Sequence, residues 1–271
     1  GFIGHNLAIK LNERGHKVSV VDSLGVNNIL SFTDSEIKNT HLYRSILNER
    51  INILNKKKIE LYVQDCRDYF AINKLYEKLK PDLIVHLAAE TGTTQSMYEL
   101  DLYHEVNIRG TSNMLDVILE SKHDIQKIIV ASSRAIYGEG KYYSKKHGFI
   151  YPTKRKEEDL VKKDFNVKCP FSNINVESVP TDEDAKPNPL SIYAKTKHKQ
   201  EDMVMFFGKS VSIPTVALRY QNVYGPGQSL CNPYTGILSI FSTRILNGND
   251  IEVYEDGQES RDFVYIEDAV W

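Results

Sequence analysis

Cysteine is scarce. Cys66, Cys169 and Cys231 are the three in 271 residues, odd in number and widely spaced. That argues against a disulfide framework, and a reduced, cytoplasmic protein is the expectation. An excess of one charge is lacking too. The 34 basic and 36 acidic side chains leave a net charge of −2, so nothing points to a nucleic acid or an anionic membrane as partner. No apolar run approaches the roughly 20 residues of a membrane span, and no signal-peptide pattern opens the sequence. At 41% hydrophobic the chain can nevertheless bury a sizeable core, in one large domain or two unequal ones.

What is present is an alternation of strands and helices. Gly1-Phe2-Ile3-Gly4 leads into a helix that carries Leu7 and Leu11 on one face and stops at Gly15. Val18 to Val21 is a short buried strand closed by Asp22. Glycines opening a helix, then a strand closed by an acid, form the back half of a dinucleotide-binding unit. The glycines let backbone approach a pyrophosphate, and Asp22 can accept both ribose hydroxyls. An acid there repels a 2′-phosphate, which favours NAD over NADP. By itself GFIG reads equally as a tight turn. The strand and glycine that would precede it are missing, and the chain stops at Trp271 just after an acidic pair that starts a helix. Both ends are therefore expected to be cut.

Residues 24–58 read as a polar loop followed by a helix from about Thr40 to Asn55. Ile59 to Val63 is a strand leading to Asp65 and Cys66, at the edge where open sheets bind ligands. A helix over Tyr69 to Leu79 should turn Phe70, Leu75 and Leu79 inward. Leu83 to Leu87 is the next strand, and the small Ala88 and Ala89 after it leave room for a cofactor. A helix with Val106, Asn107, Met114, Leu115 and Ile118 precedes Ile128 to Ala131, an apolar strand closed by Ser132 and Ser133. The alternation predicts a doubly wound α/β parallel sheet.

Between Tyr142 and Pro189 no steady period survives, and the stretch reads as a surface insertion. His147 and Cys169 are too few ligands for a metal site, so none is expected. Beyond it, in Ser191-Ile192-Tyr193-Ala194-Lys195-Thr196-Lys197, Tyr193 and Lys197 stand four apart and share a helix face. An ammonium beside a phenol lowers the phenol pKa, making Tyr193 a base for a sugar or alcohol hydroxyl. Tyr76 with Lys80 and Tyr142 with Lys146 repeat the spacing in poorer surroundings. Thr215 to Tyr220 is a strand running into Asn222, Ile237 to Leu246 a helix, and Ile251 to Tyr254 a short strand. Arg261 precedes a last apolar strand and could hold a diphosphate bidentately.

In order along the chain, GFIG, Asp22, Asp65, HLAAETG, Asn107, SSRAIYG, YAKTK, LRYQNVYGPG and ESRDFVYIED resemble the extended short-chain dehydrogenase/reductase superfamily, in its sugar-nucleotide epimerase and dehydratase branch. HLAAETGTTQSM, SSRAIYGEG and RYQNVYGPGQSLCNPYTGILSIF look like the dTDP-L-rhamnose 4-epimerase group. The resemblance implies an NAD-binding Rossmann-like domain over residues 1–141 and 187–222, rejoined by 256–271. It also implies an insertion over 142–186 and a sugar-nucleotide-binding portion over 223–255, truncated, in a homodimer. By this likeness Tyr193 is the base, Lys197 binds the nicotinamide ribose, and Ser133 relays the substrate proton. Gly1, Phe2, Ile3 and Gly4 meet the pyrophosphate, Asp22 the adenosine ribose, and Asp65 and Cys66 the adenine. Leu87, Ala88, Ala89, Asn107, Ser132 and Tyr220 line the rest of the NAD channel. Thr91, Ser133 and Arg134 touch the substrate, Asn222 and Arg261 hold its sugar diphosphate, and Tyr254 stacks on the nucleotide base.

The implied reaction is transient oxidation at C4 of the sugar, rotation of the keto sugar, and hydride return to its other face. Dehydratases of this superfamily carry an Asp-Glu pair after the catalytic Ser or Thr, and here those positions are Arg134 and Ala135. Neither can move the C5 proton or donate to a departing hydroxyl, so C4 epimerisation is expected. A dehydratase, decarboxylase or reductase on the same fold, and a non-catalytic NAD sensor, are the alternatives. The rhamnose-epimerase group tends to carry paired cysteines in the insertion. Here Ser144-Lys145-Lys146-His147 and Cys169-Pro170-Phe171-Ser172 occupy those positions.

Overall fold

A computed structural model describes residues 1–25, 40–230 and 236–271 of the chain, with the side chains of residues 40–43 excepted. Residues 26–39, read above as part of a loop, and Cys231 lie outside them.

The first helix, α1 (Phe2–Glu13), ends where Gly15 takes a left-handed φ of 86°. It is followed by β1 (Ser19–Asp22), α2 (Thr40–Lys56) and β2 (Glu60–Val63). Next come α3 (Tyr69–Leu79), β3 (Leu83–His86) and α4 (Leu100–His104). A wide π turn, Glu105–Arg109, joins α4 to α5 (Gly110–Glu120), which leads into β4 (Lys127–Ser133). The insertion contributes β5 (Tyr142–Ser144), β6 (Gly148–Ile150), α6 (Glu157–Val161) and β7 (Glu177–Ser178). The chain returns through α7 (Ile192–Val211), β8 (Thr215–Tyr220) and β9 (Asn222–Tyr224). It closes with α8 (Ile237–Leu246), β10 (Phe263–Tyr265) and α9 (Ile266–Ala269).

All ladders outside the insertion are parallel, as helical crossovers require. Among the described residues they do not form one sheet. β1 pairs with β2, β3-β4-β8 make a second ladder, and β9 pairs with β10. The main core lies on the β3-β4-β8 ladder. Ile128 and Val130 of β4 pack with Val117 and Ile118 of α5, Tyr76 of α3 and Val204 of α7. Each such side chain, once buried, contributes roughly 1.5–3 kcal/mol. A smaller cluster, Ala8, Leu54 and Ile59, ties α1 and α2 to the chain entering β2.

Three local expectations change. Phe70 is 81% exposed, whereas Tyr69, Ile72 and Tyr76 pack on the core. The reason is the cap: Asp68 Oδ1 accepts the Ala71 N–H at 3.0 Å, and the inward face then runs at i, i+3 and i+7 from Tyr69. The insertion is not shapeless, because β5, β6 and β7 pair as an antiparallel sheet of their own. Residues 251–254 form no strand, and Val253 and Tyr254 stand exposed, paired with no strand among the described residues.

Candidate active site

Parallel strands deliver their C-terminal ends to one edge, and the site collects there. Asp22 closes β1, Asp65 and Cys66 follow β2, and Leu87, Ala88 and Ala89 follow β3. Ser132 and Ser133 end β4, with Ser133 in register with Tyr220 at the end of β8.

α7 presents the tyrosine. Its N-cap Ser191 is extended, and Ser191 Oγ accepts the Ala194 N–H at 3.1 Å, fixing the first turn. The Tyr193 N–H donates to buried Ser96 Oγ at 3.0 Å, and the Tyr103 ring meets the Tyr193 ring edge-on at 6.3 Å. Neither anchor was visible in the sequence. The Tyr193 phenol faces the Ser133 hydroxyl. Burial pushes that phenol up, while the hydrogen bond from Ser133 and the charge of Arg134 pull it the other way.

The cation facing Tyr193 is thus Arg134. Lys197, expected to lower the phenol pKa, instead turns into the protein, where it is buried and its Nζ donates to Gln200 Oε1. Burial lowers its pKa to about 7, against the pull of Glu201. The reason is helical geometry: Gln200 sits one turn further on, on the face that packs against α5 and β3. Arg134 Nε donates to Asn222 Oδ1 at 3.1 Å, bringing two residues predicted to touch substrate together beside Tyr193.

Asn107 occupies the π turn, a widening of the helix that commonly marks functional positions. Its carboxamide takes the Glu90 N–H at 2.8 Å and donates to Glu90 O at 3.1 Å and Thr196 Oγ1 at 3.0 Å. This clamps the chain after Ala89 to α7. Asp65 is gripped by Arg67, and the Cys66 thiol is pushed up to about 11 by burial and the Asp65 charge. Thr91 O accepts from Tyr103 Oη at 2.8 Å. Tyr254 and Arg261 are exposed, Arg261 lying 3.9 Å from Glu259, and no hydrogen bond joins either to the tyrosine.

The residues fit a dinucleotide. Gly1 caps α1 without a side chain, leaving the first N–H groups of that helix for an anion. A Cβ on Gly4 would sit 3.4 Å from Leu87 Cδ1, so the turn lies close under the β3 edge. Ser132 Oγ is buried with no hydrogen-bond partner, which leaves a donor for a ligand. Asp22 Oδ1 accepts the Leu24 N–H at 2.8 Å at the point where a ribose is expected.

No group of three or more His, Cys, Asp or Glu among the described residues could hold a metal ion. In the insertion the Ser144 and Ser172 hydroxyls both hydrogen-bond the buried Cys169, and the His147 ring lies 5.4 Å from that of Phe171.

The chain is similar to several known proteins. A dTDP-L-rhamnose 4-epimerase of Burkholderia thailandensis is 35% identical over 270 residues, 99% of this chain and 68% of that protein. Protein CapI of Staphylococcus aureus is 31% identical over 271 residues, and the chain spans 64% of its length. A UDP-glucose 4-epimerase of Thermotoga maritima, solved with UDP-glucose, matches at a TM-score of 0.69 and 26% identity, covering all of this chain and 68% of that one. The family model for the NAD dependent epimerase/dehydratase family matches residues 1–159 and 170–271, and the chain belongs to that NAD-using family.

Proposed function

We propose that this chain carries the NAD-binding part and the reaction centre of a C4 epimerase acting on a nucleotide-activated sugar, dTDP-L-rhamnose or a close analogue. The observation that supports it most is the meeting of Ser133 and Tyr193 at the end of β4, with Arg134 and Ala135 next in the chain. NAD, when bound, supplies the acceptor and then the donor of hydride for C4. The Tyr193 phenolate takes the proton of the C4 hydroxyl and later returns it, with Ser133 Oγ bridging the two oxygens. Arg134 favours the ionised phenol. Asn107 holds α7 at a fixed distance from the chain leaving β3, so tyrosine and cofactor channel keep their register. Asn222 and Arg261 are assigned to the diphosphate and Tyr254 to the base.

Elimination across C5 and C6 would require a proton acceptor and a donor beside Ser133. Arginine stays protonated and alanine carries no exchangeable proton, so hydride return is the remaining outcome. The test is incubation of the full-length protein with nucleotide-linked rhamnose and glucose in deuterated water, followed by NMR. A C4 epimer with unlabelled C5 is expected. A deuterated 4-keto-6-deoxy sugar as the main product would overturn the assignment.

A further inference from the structure

Behind the tyrosine, away from the substrate side, lies a chain of buried polar groups that the reaction as proposed does not use. Lys197 Nζ, on a residue 2% exposed, donates to Gln200 Oε1, and Gln200 is itself fully buried. An ammonium has donors only, so it fixes the carboxamide with oxygen toward Lys197 and nitrogen away. That nitrogen lies 2.8 Å from Thr111 Oγ1 and 3.0 Å from His86 Nε2. The Thr111 hydroxyl in turn donates to the carbonyl oxygen of Asn107 in the π turn at 2.7 Å. His86 is held neutral, its pKa lowered to about 3 by burial and by the charge of Lys197, and its Nε2 also lies 2.9 Å from Thr111 Oγ1, which closes the cluster. A neutral side chain that could have been apolar is thus wired at three points, and burying it without all of them would cost stability.

We infer that Gln200 is a positioning residue that, anchored by Thr111 and His86, holds Lys197 in place and keeps it protonated beneath the nicotinamide ribose. This rests on the reading of Lys197 as the ribose-binding residue. The charge of Glu201 also favours the protonated lysine, but the group that accepts the Nζ hydrogen bond and fixes its position is Gln200. Glu201 of α7 is taken by Arg219 of β8 at 2.7 Å, His86 of β3 is uncharged, and Arg134 faces Tyr193. A hydrogen-bond acceptor on the charged form favours that form. Removing it should make Lys197 give up its proton at lower pH, and adding negative charge should do the reverse.

The test compares Gln200→Met and Gln200→Glu in the full-length protein. Two quantities are followed against pH: the titration midpoint of Lys197 by NMR without cofactor, and NAD affinity by calorimetry. Gln200→Met should lower the midpoint and weaken NAD binding at pH 7 about 10-fold, the scale of a lost charge-assisted hydrogen bond. Gln200→Glu should raise the midpoint and extend NAD binding to higher pH. Opposite shifts of the midpoint with flat NAD affinity would uphold the role of Gln200 and sink the reading that Lys197 meets the ribose. A midpoint unmoved in both folded variants, or moved the same way by both, would overturn the inference. Should Gln200→Met fail to fold, Thr111→Val, which removes one anchor, should move the midpoint down by less, and no movement there would overturn it equally.

Discussion

Lys197 is expected to weaken the fold that carries it, and replacing it with methionine should stabilise the cofactor-free protein. An ordinary lysine titrates near 10.5, and burial brings this one to about 7. Between those two values the unfolded chain holds a proton that the folded chain has released, so stability rises with pH across that window and is lowest at and below pH 7. About 3.5 pH units at 1.36 kcal/mol each set a ceiling of roughly 5 kcal/mol on the cost at neutral pH. Lys197→Met removes that cost but orphans Gln200 Oε1, which takes back about 1–3 kcal/mol. The net gain at pH 7 should be at most about 2–4 kcal/mol, which for a chain of this size is roughly 4–16 °C in Tm. Melting both proteins, stripped of NAD, at steps from pH 6.5 to 10 isolates the lysine, because all other titrations cancel in the difference. The gap should be widest near neutrality and close as pH rises toward 10. A variant less stable than the parent at pH 7, or a gap that ignores pH, would refute the reasoning. If the gain is found together with lost NAD binding, the lysine is retained for function at the expense of stability.

Two further outcomes follow from named contacts. Tyr193→Phe should lower kcat by at least about 100-fold while leaving the melting curve nearly unchanged, since its main-chain bond to Ser96 survives; near-normal turnover would remove Tyr193 from the role of base. Gly208→Ala should destabilise by about 1–3 kcal/mol despite the better helix propensity of alanine, because the new Cβ would lie 2.1 Å from Thr215 Cγ2 and 2.8 Å from Ile213 O; a denaturant midpoint at or above that of the parent would show that α7 and β8 can part without cost.

The legibility of the fold followed from how each signal is written in the chain. Strands such as Ile128 to Ala131 and the helix at α7 were readable because their periods and caps are local. Tyr193 and Lys197, for instance, share a face at helical spacing whatever surrounds them. Phe70 was misread because the inward face of α3 depends on where Asp68 starts the helix, and shifting that start by one residue turns a different face inward. The insertion was opaque because β5, β6 and β7 are at most three residues long, too short for an alternation to register. At 251–254 an apolar run of strand composition found no partner strand among the described residues, and a strand without a partner has nothing to pay its ordering entropy.

The site divides in the same way, and the division carries a physical lesson. Residues at strand ends and on one turn of α7 could be placed near one another, because a parallel sheet gathers its C-terminal ends whatever the intervening sequence. The direction of a flexible side chain is not set by spacing. Tyr193 and Lys197 do share a face, yet the four-carbon stem of Lys197 lets its ammonium go to either side of that face. The choice falls to Gln200, three residues on, whose carboxamide is fixed from Thr111 and His86, 89 and 114 residues earlier in the chain. Of those three positions, His86 opens the HLAAETG stretch, while Thr111 and Gln200 lie outside the quoted motifs. A glutamine on an otherwise inward helix face, opposite a buried histidine at the end of an apolar strand, is the one signal the sequence offered. Polar groups placed where apolar ones would pack are costly unless they satisfy each other, so such a coincidence marks residues that must meet. Arg134 is the counterpart on the open side: adjacent in sequence to Ser133, it reaches Asn222 across the strand ends and supplies the positive charge near Tyr193 that the lysine, turned inward, does not. Arg134 is thus the cation at the phenol, while Lys197 is held inward by Gln200.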